Sequence, residues 1–185
     1  MHILTVGNSF TGKSNLNKRF ALDAQKRGHD VVVFDPLKAT DWPDGINKYA
    51  SPELFLQHIE QIESAHVFVD EAKILWDHDY KRADRLLYNR RHQGLLVYLI
   101  AQRTRMVPPN ARNQCSHVFA FRQQKIDADI LSEEYHDGLS ATRGLSPGEF
   151  IYSDGFAIKT GKLDYKQGVP PKINLSELDN REDKA

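Results

Sequence analysis

Gly7-Asn8-Ser9-Phe10-Thr11-Gly12-Lys13-Ser14 fits the pattern G-x-x-x-x-G-K-[ST]. A short apolar run, Ile3-Leu4-Thr5-Val6, precedes it and a segment with helical spacing follows. In that context the loop's backbone N–H groups and the helix N-terminus form a cradle for phosphate. Lys13 is then expected to reach the β- and γ-phosphates of ATP from an exposed loop, and the Ser14 hydroxyl to ligate Mg²⁺.

A second group is Val67-Phe68-Val69-Asp70-Glu71. A carboxylate at the tip of a buried strand is costly unless paired or metal-linked. Asp70 is therefore expected to hold the Mg²⁺ through water, and Glu71 to orient or polarise a hydrolytic water. Glu beside the metal Asp suits a hydrolysing motor more than a small-molecule kinase. A third group is Arg91-His92-Gln93-Gly94, then the apolar run Leu95 to Ala101, then Gln102-Arg103-Thr104. Gln102 is expected at the strand's C-terminal end, level with Asp70, where ligands bind in open α/β sheets. A neutral amide there can sense the γ-phosphate or the attacking water. Arg91 precedes the strand, so it is expected to reach a neighbouring subunit's nucleotide, where an arginine supplied in trans stabilises transition-state charge.

These groups need a scaffold. Apolar runs at 3–6, 31–34, 67–69, 95–101 and 117–121 read as buried strands. Helices are expected from Lys13 to a stop at Gly28, from Pro52 (with Ser51 as N-cap) to about Glu63, from about Tyr80 to His92, and near Asp127 to Tyr135. Glu149 to Ile158 reads as a closing hairpin. Continuous apolar strands alternating with helices predict an α/β fold, a mostly parallel sheet with helices on both faces. The expected division is an ATPase domain over 1–165 and a Pro-rich, charged tail over 166–185, flexible or docked on a neighbour.

The chain of 185 residues carries 25 basic and 25 acidic side chains, a balance that hides a polarised distribution. Residues 1–80 net −4, residues 81–122 net +8 and residues 123–185 net −4. The basic block holds Lys81, Arg82, Arg85, Arg90, Arg91, Arg103, Arg105, Arg112 and Arg122 against Asp84 alone, which points to a phosphate-bearing partner. A single cysteine, Cys115, excludes an intrachain disulfide framework and reads as a small buried hydrophobe. His58, His66 and His117 read as structural residues, and Trp42 and Trp76 as packing residues. The longest apolar run is too short to span a bilayer and Met1 to Val6 has no signal-peptide character, so a soluble chain in a reducing cytoplasm is expected.

The phosphate loop, Val32-Val33-Phe34-Asp35-Pro36-Leu37-Lys38, the Asp70-Glu71 strand, Arg91-x-x-Gly94 and Gln102-Arg103 stand in the order found in the FtsK–HerA superfamily. The chain also resembles that superfamily in Val107-Pro108-Pro109-Asn110-Ala111-Arg112 and in Gly144 to Phe150, so the likeness covers roughly residues 1–160. Thr104 stands where many cellular relatives have Pro, and Phe10-Thr11 lacks the additional Gly common in this loop. The resemblance implies a RecA-like P-loop fold of the ASCE type. It also implies a homo-oligomeric ring, a hexamer or pentamer, that pumps double-stranded DNA with ATP and Mg²⁺. A bare motor of this size is most similar to the genome-packaging ATPases of tailless, internal-membrane viruses and phages. Such an enzyme works in the host cytoplasm or at the virion packaging vertex, beside capsid vertex or membrane proteins. Lys13, Ser14, Asp70, Glu71 and Gln102 would then act in cis, and Arg91 or Arg103 in trans. Asn89 to Gly94 also resembles the assembly ATPases of filamentous phages. A nucleotide kinase, with Arg103 and Arg105 clamping a second substrate, and an ATP-binding scaffold are the readings from other classes.

Overall fold

The computed structural model describes residues 1–88 and 93–163. Eight strands form one sheet: β1 (Ile3–Val6), β2 (Asp30–Phe34), β3 (Asn47–Tyr49), β4 (Ala65–Val69), β5 (Leu96–Ala101), β6 (His117–Ala120), β7 (Glu149–Ser153) and β8 (Ile158–Lys162). Their order across the sheet is β3-β2-β4-β5-β1-β6-β7-β8. The first six in that order run parallel, and β7 and β8 add an antiparallel edge. The helices are α1 (Lys13–Lys26), α2 (Pro52–Ile59), α3 (Ala72–His78), α4 (Tyr80–Tyr88), α5 (Pro109–Arg112) and α6 (Lys125–Glu134).

Strand alternation sorts the apolar side chains into two cores. Ile3, Val31, Val33, Phe68, Tyr98, Ile100 and Phe119 face α1, which meets them with Leu16, Phe20, Ala21 and Ala24. Leu4, Val6, Val32, Phe34, Val67, Val69, Val97 and Leu99 face the other way, against α2, α3, α4 and Leu131 of α6. Parallel strands buried on both faces read as continuous apolar runs, as these do.

The expected strands and helices form, with shifted ends and three additions. Ser51 caps α2 by accepting from Leu54 N at 3.4 Å, but α2 ends at Ile59, short of Glu63. The chain must instead turn into β4, which it does through Ser64 at φ 55. The edge strand β3 is largely exposed and carries no apolar pattern, and α3 and α5 are one- or two-turn helices too short for a clear period. The expected extension of α4 to His92 and the tail from 166 lie outside the described residues.

Sheet order decides what meets what. The strand after the phosphate loop in sequence, β2, is not its neighbour: β5 lies between β1 and β4. Val6 pairs with Ala101 on one side and Ala120 on the other. The loop at Gly7 therefore starts level with the exits of β5 and β6.

Candidate functional site

The phosphate loop is held by three distant segments. Gly7 N donates to Ala101 O, Asn8 N to Arg122 O, and Gly148 N to Thr11 O, at 3.3, 3.0 and 3.0 Å. Gly7 is required for packing, since a Cβ there would stand 2.5 Å from Phe121 Cβ. Gly12, at φ 118, supplies the left-handed turn into α1. Phe10 adopts φ 61 without that freedom, and its ring is 98% exposed. Asn17 Nδ2 donates to Lys13 O at 2.9 Å and its Oδ1 accepts from Thr5 Oγ1 at 3.5 Å, tying α1 back to β1 beneath the loop.

Lys13 is not on an exposed surface, contrary to the expectation from its loop position. It is 9% exposed, and its ammonium donates to Asn8 O at 2.9 Å. Burial lowers its pKa, while the charges of Asp70 and Glu71 act in the opposite direction. The reason is that β4 and β1 are separated by β5 alone, so both carboxylates lean over the same strand end.

Asp70 ends β4. Its Oδ1 accepts from Glu71 N at 3.0 Å and its Oδ2 from Thr40 Oγ1 at 3.3 Å. Burial, with the nearby charges of Asp35 and Glu71, pushes its carboxyl up to about 6. Two neutral donors and too few cations make this carboxylate a fitting ligand for a divalent ion. Ser14, half-buried in the first turn of α1, adds a hydroxyl of the kind Mg²⁺ prefers.

Asp35 explains how Thr40 arrives there. Its Oδ1 accepts from Ala39 N, and its Oδ2 from Thr40 N and Trp42 Nε1, each at 3.2 Å. A buried carboxylate thus folds the 35–42 loop onto itself and presents the Thr40 hydroxyl to Asp70. Sequence reasoning assigned Asp35 no role; an Asp-Pro after a strand, with free N–H groups four and five residues on, was the available signal.

Glu71 is half-buried and adopts φ 51, ψ 54, outside the ordinary region for its type. Gln102 Nε2 donates to its Oε1 at 2.8 Å. Because Val69 pairs with Leu99, Gln102 stands two residues beyond the level of Asp70, and it is Glu71 that it meets. Ser9 Oγ donates to Gln102 Oε1 at 3.3 Å, so the amide bridges the phosphate loop and the second motif. Arg103 follows, half-buried, before a 3-10 helix over Thr104–Met106. Arg91 lies outside the described residues.

The fold is that of a RecA-like P-loop ATPase. It is shared with the genome-packaging NTPase B204 from Sulfolobus turreted icosahedral virus 2 in complex with AMPPCP, at a TM-score of 0.71 and 17% identity. That match covers 86% of this chain and 95% of the viral one. The pCW3 conjugation coupling protein TcpA, in monomer form with ATPγS, matches at 0.73 and 14%, covering 87% of this chain and 59% of TcpA. VirB4 of Thermoanaerobacter pseudethanolicus matches at 0.64 and 10%, covering 88% and 89%. No family model and no curated protein matches the sequence.

The basic block is less available than its composition implies. Arg82 donates to Glu60 and Glu53 at 2.7–3.0 Å and joins α4 to α2. Arg112 is buried, forked onto Glu134 at 2.5 and 2.7 Å, and also donates to Val107 O at 2.6 Å. Arg105 sits 3.9 Å from Asp127 and is exposed, as are Lys81, Arg85 and Arg122.

The other expectations for single residues follow the geometry. His66 and His117 meet Tyr98 and Tyr152 through Nδ1 at 3.0 and 2.7 Å, and His58 stacks on Tyr49. Among the described residues no group of His, Cys, Asp and Glu forms a metal cluster. Cys115 is buried and its thiol pKa is pushed up by burial. Trp42 packs on Phe68, and Trp76 is buried with its Nε1 donating to Asp84 at 2.9 Å. No helix among the described residues is long and apolar enough to cross a membrane.

Proposed function

We propose that this chain is a Mg²⁺-dependent ATPase that drives viral double-stranded DNA into a preformed capsid, working as a homo-oligomeric ring. The observation that carries the hydrolytic part is the convergence of Lys13, Asp70, Glu71 and Gln102 on one strand end, with Gln102 on Glu71 at 2.8 Å. A kinase needs no carboxylate held ready for water beside its metal ligand. The packaging part of the reading is suggested by the fold shared with a viral genome-packaging NTPase.

In this reading the loop from Gly7 to Ser14 cradles the phosphates and Lys13 neutralises them. Ser14 and Asp70 hold Mg²⁺, which supplies charge stabilisation at the transferring phosphoryl group. Glu71 orients and polarises the attacking water through the carboxylate oxygen that Gln102 leaves free. Arg103, next to Gln102, and Arg91 are the candidates for an arginine acting on a neighbouring subunit's nucleotide. The exposed cations meet DNA phosphates without regard to sequence.

The test is phosphate release with and without double-stranded DNA. The wild type should hydrolyse ATP faster with DNA, and Glu71→Gln should bind ATP but turn over at least about 100-fold more slowly. Hydrolysis indifferent to DNA would leave an ATPase that is no translocase. Near-normal turnover in Glu71→Gln would remove Glu71 from the chemistry.

A further inference from the structure

We infer that Ser9 is a positioning residue for hydrolysis: its hydroxyl fixes which end of the Gln102 amide faces Glu71. The inference rests on the ATPase reading above and extends it to a residue that reading uses only as part of the phosphate cradle.

A primary amide is asymmetric. Its oxygen only accepts and its nitrogen only donates, and a half-turn about the last side-chain bond exchanges them. Facing Glu71, the two orientations are opposites. The NH₂ end donates to the carboxylate; the oxygen end would set two acceptors against each other. The carboxylate favours the first orientation by itself. A second contact on the amide matters because Gln102 must keep its NH₂ end on Oε1 while the other oxygen of Glu71 polarises water.

Ser9 supplies the second constraint. Its Oγ lies 3.3 Å from Gln102 Oε1, and Gln102 Nε2 lies 2.8 Å from Glu71 Oε1. The amide is therefore spanned from both ends, by a hydroxyl on its oxygen and a carboxylate on its nitrogen. At 3.3 Å the Ser9 bond is long for O–H···O, and Ser9 is exposed. That bond adds little stability, but orienting an amide needs only a preference between two states. The residues on both sides are well placed to hold the geometry. Ser9 follows Asn8, whose N–H is pinned to Arg122 O, and Gln102 follows Ala101, whose carbonyl takes Gly7 N–H. Glu71 is fixed by its left-handed backbone and by its N–H on Asp70. The chain Ser9–Gln102–Glu71 thus links the phosphate loop to the carboxylate by two hydrogen bonds, and a shift of the loop is felt at Glu71 through the amide.

Three variants test this: Ser9→Ala, Ser9→Thr and Ser9→Ala combined with Gln102→Ala. Ser9→Ala should lower kcat about three- to tenfold, the worth of one neutral hydrogen bond, with KM for ATP unchanged. Ser9→Thr restores the hydroxyl at an exposed position and should recover kcat. In the Gln102→Ala background, Ser9→Ala should have no further effect, since Ser9 acts only through that amide. The Gln102 side-chain NH₂ resonances, assigned by their loss in Gln102→Ala, should shift in Ser9→Ala and return in Ser9→Thr. A fall in kcat of equal size in both backgrounds, a change confined to KM, or an NH₂ signal indifferent to Ser9 would each overturn the assignment. Absence of ATP hydrolysis in the wild type would instead defeat the ATPase reading, a result separable from these because the NH₂ signal is read without turnover.

Discussion

Two ionic clusters sit within one small domain and are built on opposite terms. On the helical layer, Arg112 is matched donor for acceptor: its guanidinium forks onto Glu134 and its remaining N–H reaches backbone carbonyls at Val107 and Thr104. At the strand ends, Asp35 and Glu71 crowd Asp70, Lys13 faces Asp70 and Glu71, and Asp70 is driven to about 6. The first cluster is satisfied by the protein alone. The second is charge-deficient, and its backbone is strained as well: Phe10, Lys38 and Glu71 account for three of the four non-glycine residues at positive φ among the described residues. Most of the backbone strain, and a surplus of negative charge, collect where a ligand with its own cation and phosphates would relieve them.

That contrast breaks first at the matched cluster. Arg112→Met should destabilise the fold by about 2–4 kcal/mol, less than the full cost of orphaning a buried charge because Glu134 is partly solvated. Denaturant unfolding measures it; a loss under 1 kcal/mol would mean the pair is not a frame element. At the mismatched cluster the sign reverses. Asp70→Asn should stabilise the protein, measured without nucleotide, by about 1–3 kcal/mol at pH 7.5, while abolishing turnover. The folded state raises this carboxyl from 3.8 to about 6, so the cost of ionising it is absent below pH 4, grows between the two values and is complete above 6. The gain in melting temperature should therefore vanish as pH falls through that window, and a pH-independent gain would point to packing instead. The smallest effect belongs to Phe10→Gly. Its ring packs on nothing, so removing it at φ 61 should raise stability by about 0.5–1 kcal/mol, visible as a small upward shift in thermal unfolding.

The candidate site was legible in part for a physical reason. A phosphate loop is local: eight residues, a strand before and a helix after fix its geometry, so Gly7 to Ser14 could be read from spacing. Asp70 and Gln102 were legible as strand ends, because apolar runs stop where burial stops. What spacing could not carry was sheet order. That β5 lies between β1 and β4 makes Glu71 the partner of Gln102 and buries Lys13 under two carboxylates, and none of the intervening sequence encodes that adjacency. The Asp35–Thr40–Asp70 chain was hidden for the same reason, being a contact, thirty residues apart, between segments that leave neighbouring strands. Arg112 misled in the opposite direction: counted by composition among phosphate-facing cations, it is enclosed by α5 and α6.

The three anchors of the phosphate loop also govern when it can exist. The loop leaves the ribosome well before its hydrogen-bond partners Ala101, Arg122 and Gly148. Thr11 and Gly148 are 137 positions apart, so at ordinary synthesis rates the last anchor emerges about 7–27 s after the loop itself. The neighbours of β1, β5 and β6, are made before Gly148, but the loop lacks its Thr11 anchor until Gly148 emerges. A nascent chain that stops short of Gly148 therefore has no finished cradle. A segment made early thus waits for one made late before its backbone is fully tied.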